Sequence, residues 1–175
     1  MTRLIRAIDS FSERTGTSVA WLTILMMLIT CVVVLARYAF DIGSIALQET
    51  IVYLHGIVFM LGIPYTLKNR GHVRVDIFYQ KGSRKTRSMI DLFGALVFLF
   101  PVAGFILWNS VDYAYQSWSI RESSPEPGGL PAVYLLKALI PLMAAMLAIQ
   151  GVAEVLRSLR TILDRDPTEE QAPGA

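Results

Sequence analysis

The chain has 175 residues, 54% of them apolar and only 17% charged, with a mean hydropathy of +0.49. That balance excludes an ordinary soluble domain, and the charges cluster between apolar blocks, as in a small multi-span membrane protein. The net charge is only +2, and the basic residues flank apolar runs, which argues against nucleic-acid binding. The one cysteine, Cys31, lies inside an apolar run, so an intrachain disulfide is excluded and the thiol reads as a small hydrophobe.

Residues 1–16 come first. Leu4, Ile5, Ile8 and Phe11 recur at helical spacing, with Arg3, Arg6, Asp9 and Glu13 largely opposite. Two readings stand: an amphipathic helix lying in the membrane interface, or a frayed polar tail. The first span is expected over about 18–40. Val34-Leu35-Ala36 loosely fits a signal-cleavage site, but the apolar run is longer than a signal core, so the segment is read as retained. A tight turn over Asp41–Ser44, with Gly43, makes spans one and two an antiparallel hairpin.

Span two, about 45–66, holds ionisable groups that are costly in lipid, Glu49 and His55. Arg37 precedes the outer turn by four residues and Glu49 follows it by five, so the two reach similar depth. Glu49 is therefore either a permeation-site carboxylate or half of an Arg37–Glu49 ion pair that Asp41 shares. Glu49, Tyr53, Gly56 and Met60 form one helical stripe, and Gln48, Val52, His55, Phe59 and Gly62 the adjacent one. Small and polar residues concentrate where membrane helices touch, so Gln48, Tyr53, His55, Gly56 and Gly62 are expected to face a packing partner.

A basic loop follows, with Arg70, His72, Arg74 and Asp76 at its centre, expected to graze the interface and to dock a subunit or anionic lipid. Span three is expected over about 89–110, kinked at Pro101, with Trp108, Tyr113, Tyr115 and Trp118 as an aromatic belt. Ser-Ile-Arg-Glu-Ser-Ser-Pro-Glu-Pro-Gly-Gly-Leu-Pro (119–131) ends that helix. Span four is expected over about 132–156, and a disordered tail over 159–175. Lys137 either snorkels to the headgroups or pairs with Asp112. The chain is thus expected to be an all-α membrane protein of four transmembrane helices, with its membrane domain over 17–158.

Thirteen of the sixteen Lys and Arg residues fall in the N-terminal segment, the central loop and the C-terminal segment. Both termini and that loop are therefore expected in the cytoplasm. Catalytic motifs are missing from the sequence: there is no P-loop, G-x-G-x-x-G, C-x-x-C or H-x-x-x-H, and two histidines, His55 and His72, make an awkward haem pair. No cofactor is expected on this chain, and no catalytic, metal or substrate-binding residue is assigned.

Several of these pieces occur in a familiar order. Gln48-Glu49 opens span two, which exits from Gly62 through Lys68 into Gly71-His72-Val73-Arg74-Val75-Asp76. Ser-Ser-Pro-Glu-Pro-Gly-Gly-Leu-Pro is then followed by Tyr134-Leu135-Leu136-Lys137, Pro141 and Gln150. Over about 15–158 the chain resembles the DctQ-type small membrane subunit of tripartite ATP-independent periplasmic (TRAP) transporters. The resemblance implies a bacterial inner-membrane protein, not an enzyme, that braces a large membrane subunit. In that arrangement the large subunit carries the transport pathway and the sodium, and a periplasmic solute-binding protein delivers an organic acid. The 123–131 loop resembles the branch associated with small carboxylates and keto acids. Two rival readings are a self-sufficient four-helix exporter, whose kind carries a Glu in the first span that this chain lacks, and a respiratory membrane anchor.

Overall fold

The computed structural model describes residues 2–69, 71 and 83–163. Among them every regular element is helical, and four helices are long and apolar enough to cross a membrane: α1 (Thr2–Phe40), α2 (Ile45–Lys68), α3 (Arg84–Ser119) and α4 (Val133–Leu163).

Helix α1 corrects the first expectation. Residues 2–16 are neither a separate interfacial helix nor a frayed tail; they continue into span one without a break. No proline interrupts the segment, and at 39 residues α1 is about 58 Å long, well beyond the bilayer's hydrocarbon thickness. Its buried stripe is Ile5, Ser12, Gly16 and Val19, whereas Leu4 and Phe11, read as the apolar face, are 53% and 52% exposed. Packing against neighbours, not the local apolar pattern, chooses the buried side.

The hairpin turn forms where expected, by a different residue. Asp41 takes φ 55°, a left-handed conformation that Asp tolerates better than most residues, and the Ile42 N–H returns to the Ala36 carbonyl at 3.0 Å. The Ser44 hydroxyl then caps α2 by accepting from the Leu47 N–H at 3.4 Å.

Helix α3 starts at Arg84, earlier than the expected span, behind a Ser83 cap whose hydroxyl accepts from the Thr86 N–H at 3.2 Å. Proline 101 cannot donate to the fourth residue before it. The helix widens into a π turn over Ala95–Leu99 just ahead of that proline, with the Phe100 N–H bonded to the Ala95 carbonyl. The aromatic side chains of the far end are exposed, Trp108 most of all at 82%. Helix α4 runs on to Leu163, so residues 159–163 are helix and not tail.

Although span two carries the conspicuous polar residues, the hub is α4, which packs on α1, α2 and α3 alike. Its small residues explain this. Ala144 and Ala153 are fully buried, and a side chain at Gly151 would come within 2.5 Å of Leu99 in the π turn. Small residues let backbones approach where lipid supplies no hydrophobic drive for burying large ones. Most large apolar side chains instead point outward, as lipid contact requires.

Candidate functional site at the ends of the bundle

At the end shared by the hairpin turn and the 120–132 connection, α2 presents Glu49 to the loop. Its carboxylate accepts from the Ser124 hydroxyl and from the Leu130 N–H, the latter at 2.6 Å. The loop closes on itself around that anchor: the Ser124 N–H bonds Leu130 O at 3.1 Å, and the Gly129 N–H bonds Glu126 O at 3.0 Å. The Ser124 hydroxyl also accepts from the Glu126 N–H at 3.2 Å. Glycine is required twice here. Gly128 has φ 80°, and a side chain at Gly129 would lie 2.5 Å from the Ser124 hydroxyl and 2.8 Å from the Glu49 carboxylate. Pro125, Pro127 and Pro131, together with the Glu49 anchor, restrict the shapes open to this irregular loop.

Two expected ion pairs are absent. Glu49 takes neutral donors from the loop, and among the described residues neither Arg37 nor Asp41 enters an ion pair; both are exposed. Equal depth on a hairpin did not bring the side chains together, because the loop reaches Glu49 from the α4 side. Lys137 neither snorkels freely nor meets Asp112. It pairs with Glu122 at 2.5 Å and sits 4.3 Å over the Tyr113 ring. The Lys137 ammonium holds the Glu122 carboxyl below the usual carboxylate range. Asp112 is exposed beside Gly104, Leu107 and Trp108. Trp118 and Tyr134 meet edge to face at 5.0 Å and tie α3 to α4 at the same level.

A second polar cluster, unforeseen from the sequence, lies at the opposite end. The Ser12 hydroxyl donates to Gln150 Oε1 at 2.7 Å, and Gln150 Nε2 donates to Asp9 Oδ1 at 3.1 Å. Arg157 reaches both Asp9 oxygens, at 3.0 and 2.9 Å, and Glu154 at 2.5 Å. Glu13 pairs with Lys68 of α2, and Gly16 of α1 packs so closely on Tyr65 that a side chain at this position would overlap it. These contacts bind the N-terminal turns of α1 to α4 and α2. The available signal was the 3-4-3 spacing of Asp9, Ser12, Gly16 and Val19, a small and polar stripe that the louder apolar pattern concealed.

The expected packing face of α2 divides in two. Gly56 packs closely, since a side chain there would meet Leu136 at 2.7 Å, and Tyr53 turns its hydroxyl inward. Gln48 and His55 are exposed, and Gly62 has open space where a side chain would be. Arg70, His72, Arg74 and Asp76 lie outside the described residues. Among the described residues no group of three or more His, Cys, Asp or Glu side chains converges as a metal site would need.

Helices with exposed apolar faces and polar clusters confined largely to their ends define an all-α, multi-pass membrane protein. Residues 26–161 match the family model described as tripartite ATP-independent periplasmic transporters, DctQ component. The chain belongs to that family and is the small permease subunit of a TRAP transporter. No curated protein and no solved structure matches it.

Proposed function

We propose that this subunit braces the large TRAP membrane subunit during ion-gradient-driven import of an organic acid. A periplasmic solute-binding protein delivers the acid, and the sodium sites belong to the large subunit. In this reading the chain sits in the bacterial inner membrane with both termini in the cytoplasm, as the distribution of Lys and Arg favours. One observation carries the bracing role. Glu49, the carboxylate within a span that could have served as a transport ligand, is occupied by the Ser124 hydroxyl and the Leu130 N–H. A transport pathway would need discontinuous helices or ion ligands near the midplane. Apart from His55, the polar clusters here instead join helix ends to one another.

Reconstitution tests this directly. Liposomes holding the large subunit and the binding protein are expected to take up solute only when this chain is included. Full uptake without it removes the bracing role. Proton-coupled efflux by this chain alone would favour the self-sufficient exporter, and a haem absorption band would favour the respiratory anchor.

A further inference from the structure

Two polar stripes run along α2, and the fold uses only one of them. Glu49 holds the outer loop, Gly56 meets Leu136 of α4, and Pro64 is buried. The adjacent stripe, Gln48, Val52, His55 and Phe59, is exposed throughout, with Val52 at 57% and Phe59 at 62%. Beside it, Met26, Thr30 and Cys31 of α1 join Val52 and His55 in lining a groove of about 490 Å³.

His55 makes this groove more than an apolar surface. It stands ten residues into a helix of 24, which places it about 15 Å from the outer end, near the middle of a bilayer. Its ring stacks on Phe59, with centroids 6.3 Å apart, and it has no hydrogen bond or ion pair among the described residues. Acyl chains offer an imidazole nothing, the headgroups are out of its reach, and histidines inside spans normally face protein or a water-filled cavity. A neighbouring transmembrane helix with a hydrogen-bonding side chain at mid-depth supplies what the ring lacks. A second copy of this chain fits poorly. A two-fold contact sets the groove against itself, and two concave faces leave a void between them.

We propose that the α1–α2 groove centred on His55 is the docking face for a transmembrane helix of the large subunit. That helix would place a ridge of apolar side chains in the groove and a polar side chain on His55. This rests on the bracing role proposed above and names the surface that performs it.

The single native thiol lies in the groove, so it reports occupancy without engineering. The experiment compares alkylation of Cys31 by N-ethylmaleimide in the purified chain and in its detergent-solubilised complex with the large subunit. The expected result is at least about a tenfold slower reaction in the complex. Val52→Trp, which fills the groove, and His55→Leu, which removes the hydrogen bond, are expected to reduce co-purification with the large subunit at least about tenfold. Val102→Trp, on the exposed face of α3, is expected to leave co-purification unchanged. Each variant alone is checked for retained helicity and a monodisperse elution profile, and the wild-type labelling comparison stands even if a variant misfolds. A complex that forms while Cys31 reacts at the same rate overturns the docking face and leaves the bracing role intact. Protection of Cys31 in the chain alone, with two copies cross-linked through this face, assigns the groove to a second copy and also overturns it. If no complex with the large subunit forms, both this proposal and the bracing role fall.

Discussion

Gln150→Leu probes the cluster that ties the start of α1 to α4. The side chain is fully buried, accepts from Ser12 at 2.7 Å and donates to Asp9 at 3.1 Å. Leucine has a similar volume, so the change removes hydrogen bonds without opening a large cavity. The Ser12 hydroxyl, itself 2% exposed, loses its acceptor, and stranding a buried donor costs about 1–3 kcal/mol. Asp9 keeps Arg157 and loses only the neutral amide, at about 1 kcal/mol. The expected loss is therefore about 2–4 kcal/mol. At about 2–4 °C per kcal/mol for a chain of this size, the thermal midpoint in detergent should fall by about 4–16 °C. Ser12→Ala in the Gln150→Leu background should then cost little or be favourable, because the stranded hydroxyl is gone. The pair is thus expected to be strongly non-additive in a double-mutant cycle followed by thermal melting. A loss under about 0.5 kcal/mol for Gln150→Leu, or full additivity with Ser12→Ala, would refute the reasoning.

Glu49→Ala should release the 120–132 loop, seen as faster hydrogen exchange at Leu130 and new proteolytic cleavage there, while Arg37→Ala should leave both unchanged. Gly16→Ala should destabilise by about 1–3 kcal/mol, because the added methyl overlaps the Tyr65 ring. Gly62→Ala, which meets open space, should stabilise α2 by about 0.5–1 kcal/mol, and thermal melts of the two variants should shift in opposite directions. Glu122 has a folded pKa below its ordinary value of 4.5. Its bond to Lys137 therefore contributes fully above that value and is lost as the pH falls through the depressed folded pKa. Acid titration of the melting temperature should show that component in the wild type and lose it in Glu122→Gln.

The sequence by itself determined the number of spans, the hairpin between the first two, and the family. Apolar run length, punctuation by Gly and Pro, and the order of short motifs are local features, and they survive into the structure at the end of α1, at both ends of α2 and at the start of α4. Where boundaries moved, at the start of α1, both ends of α3 and the end of α4, the helix continued beyond the apolar run. Side-chain partners were a different matter. The position of Glu49 opposite Arg37 suggested a lock within the hairpin, yet the carboxylate binds a loop that lies 75 and 81 residues further along the chain. Lys137 turned from Asp112 to Glu122 for a similar reason, since the loop brings its own carboxylate to the amine. Asp9, Ser12, Gln150 and Arg157 were each visible, but their contacts join residues up to 148 positions apart. Sequence spacing places a residue on a helix face. Only the packing of α4 against the other three helices decided which face met which, and so which polar groups were satisfied inside the chain and which, like His55, were left outside it.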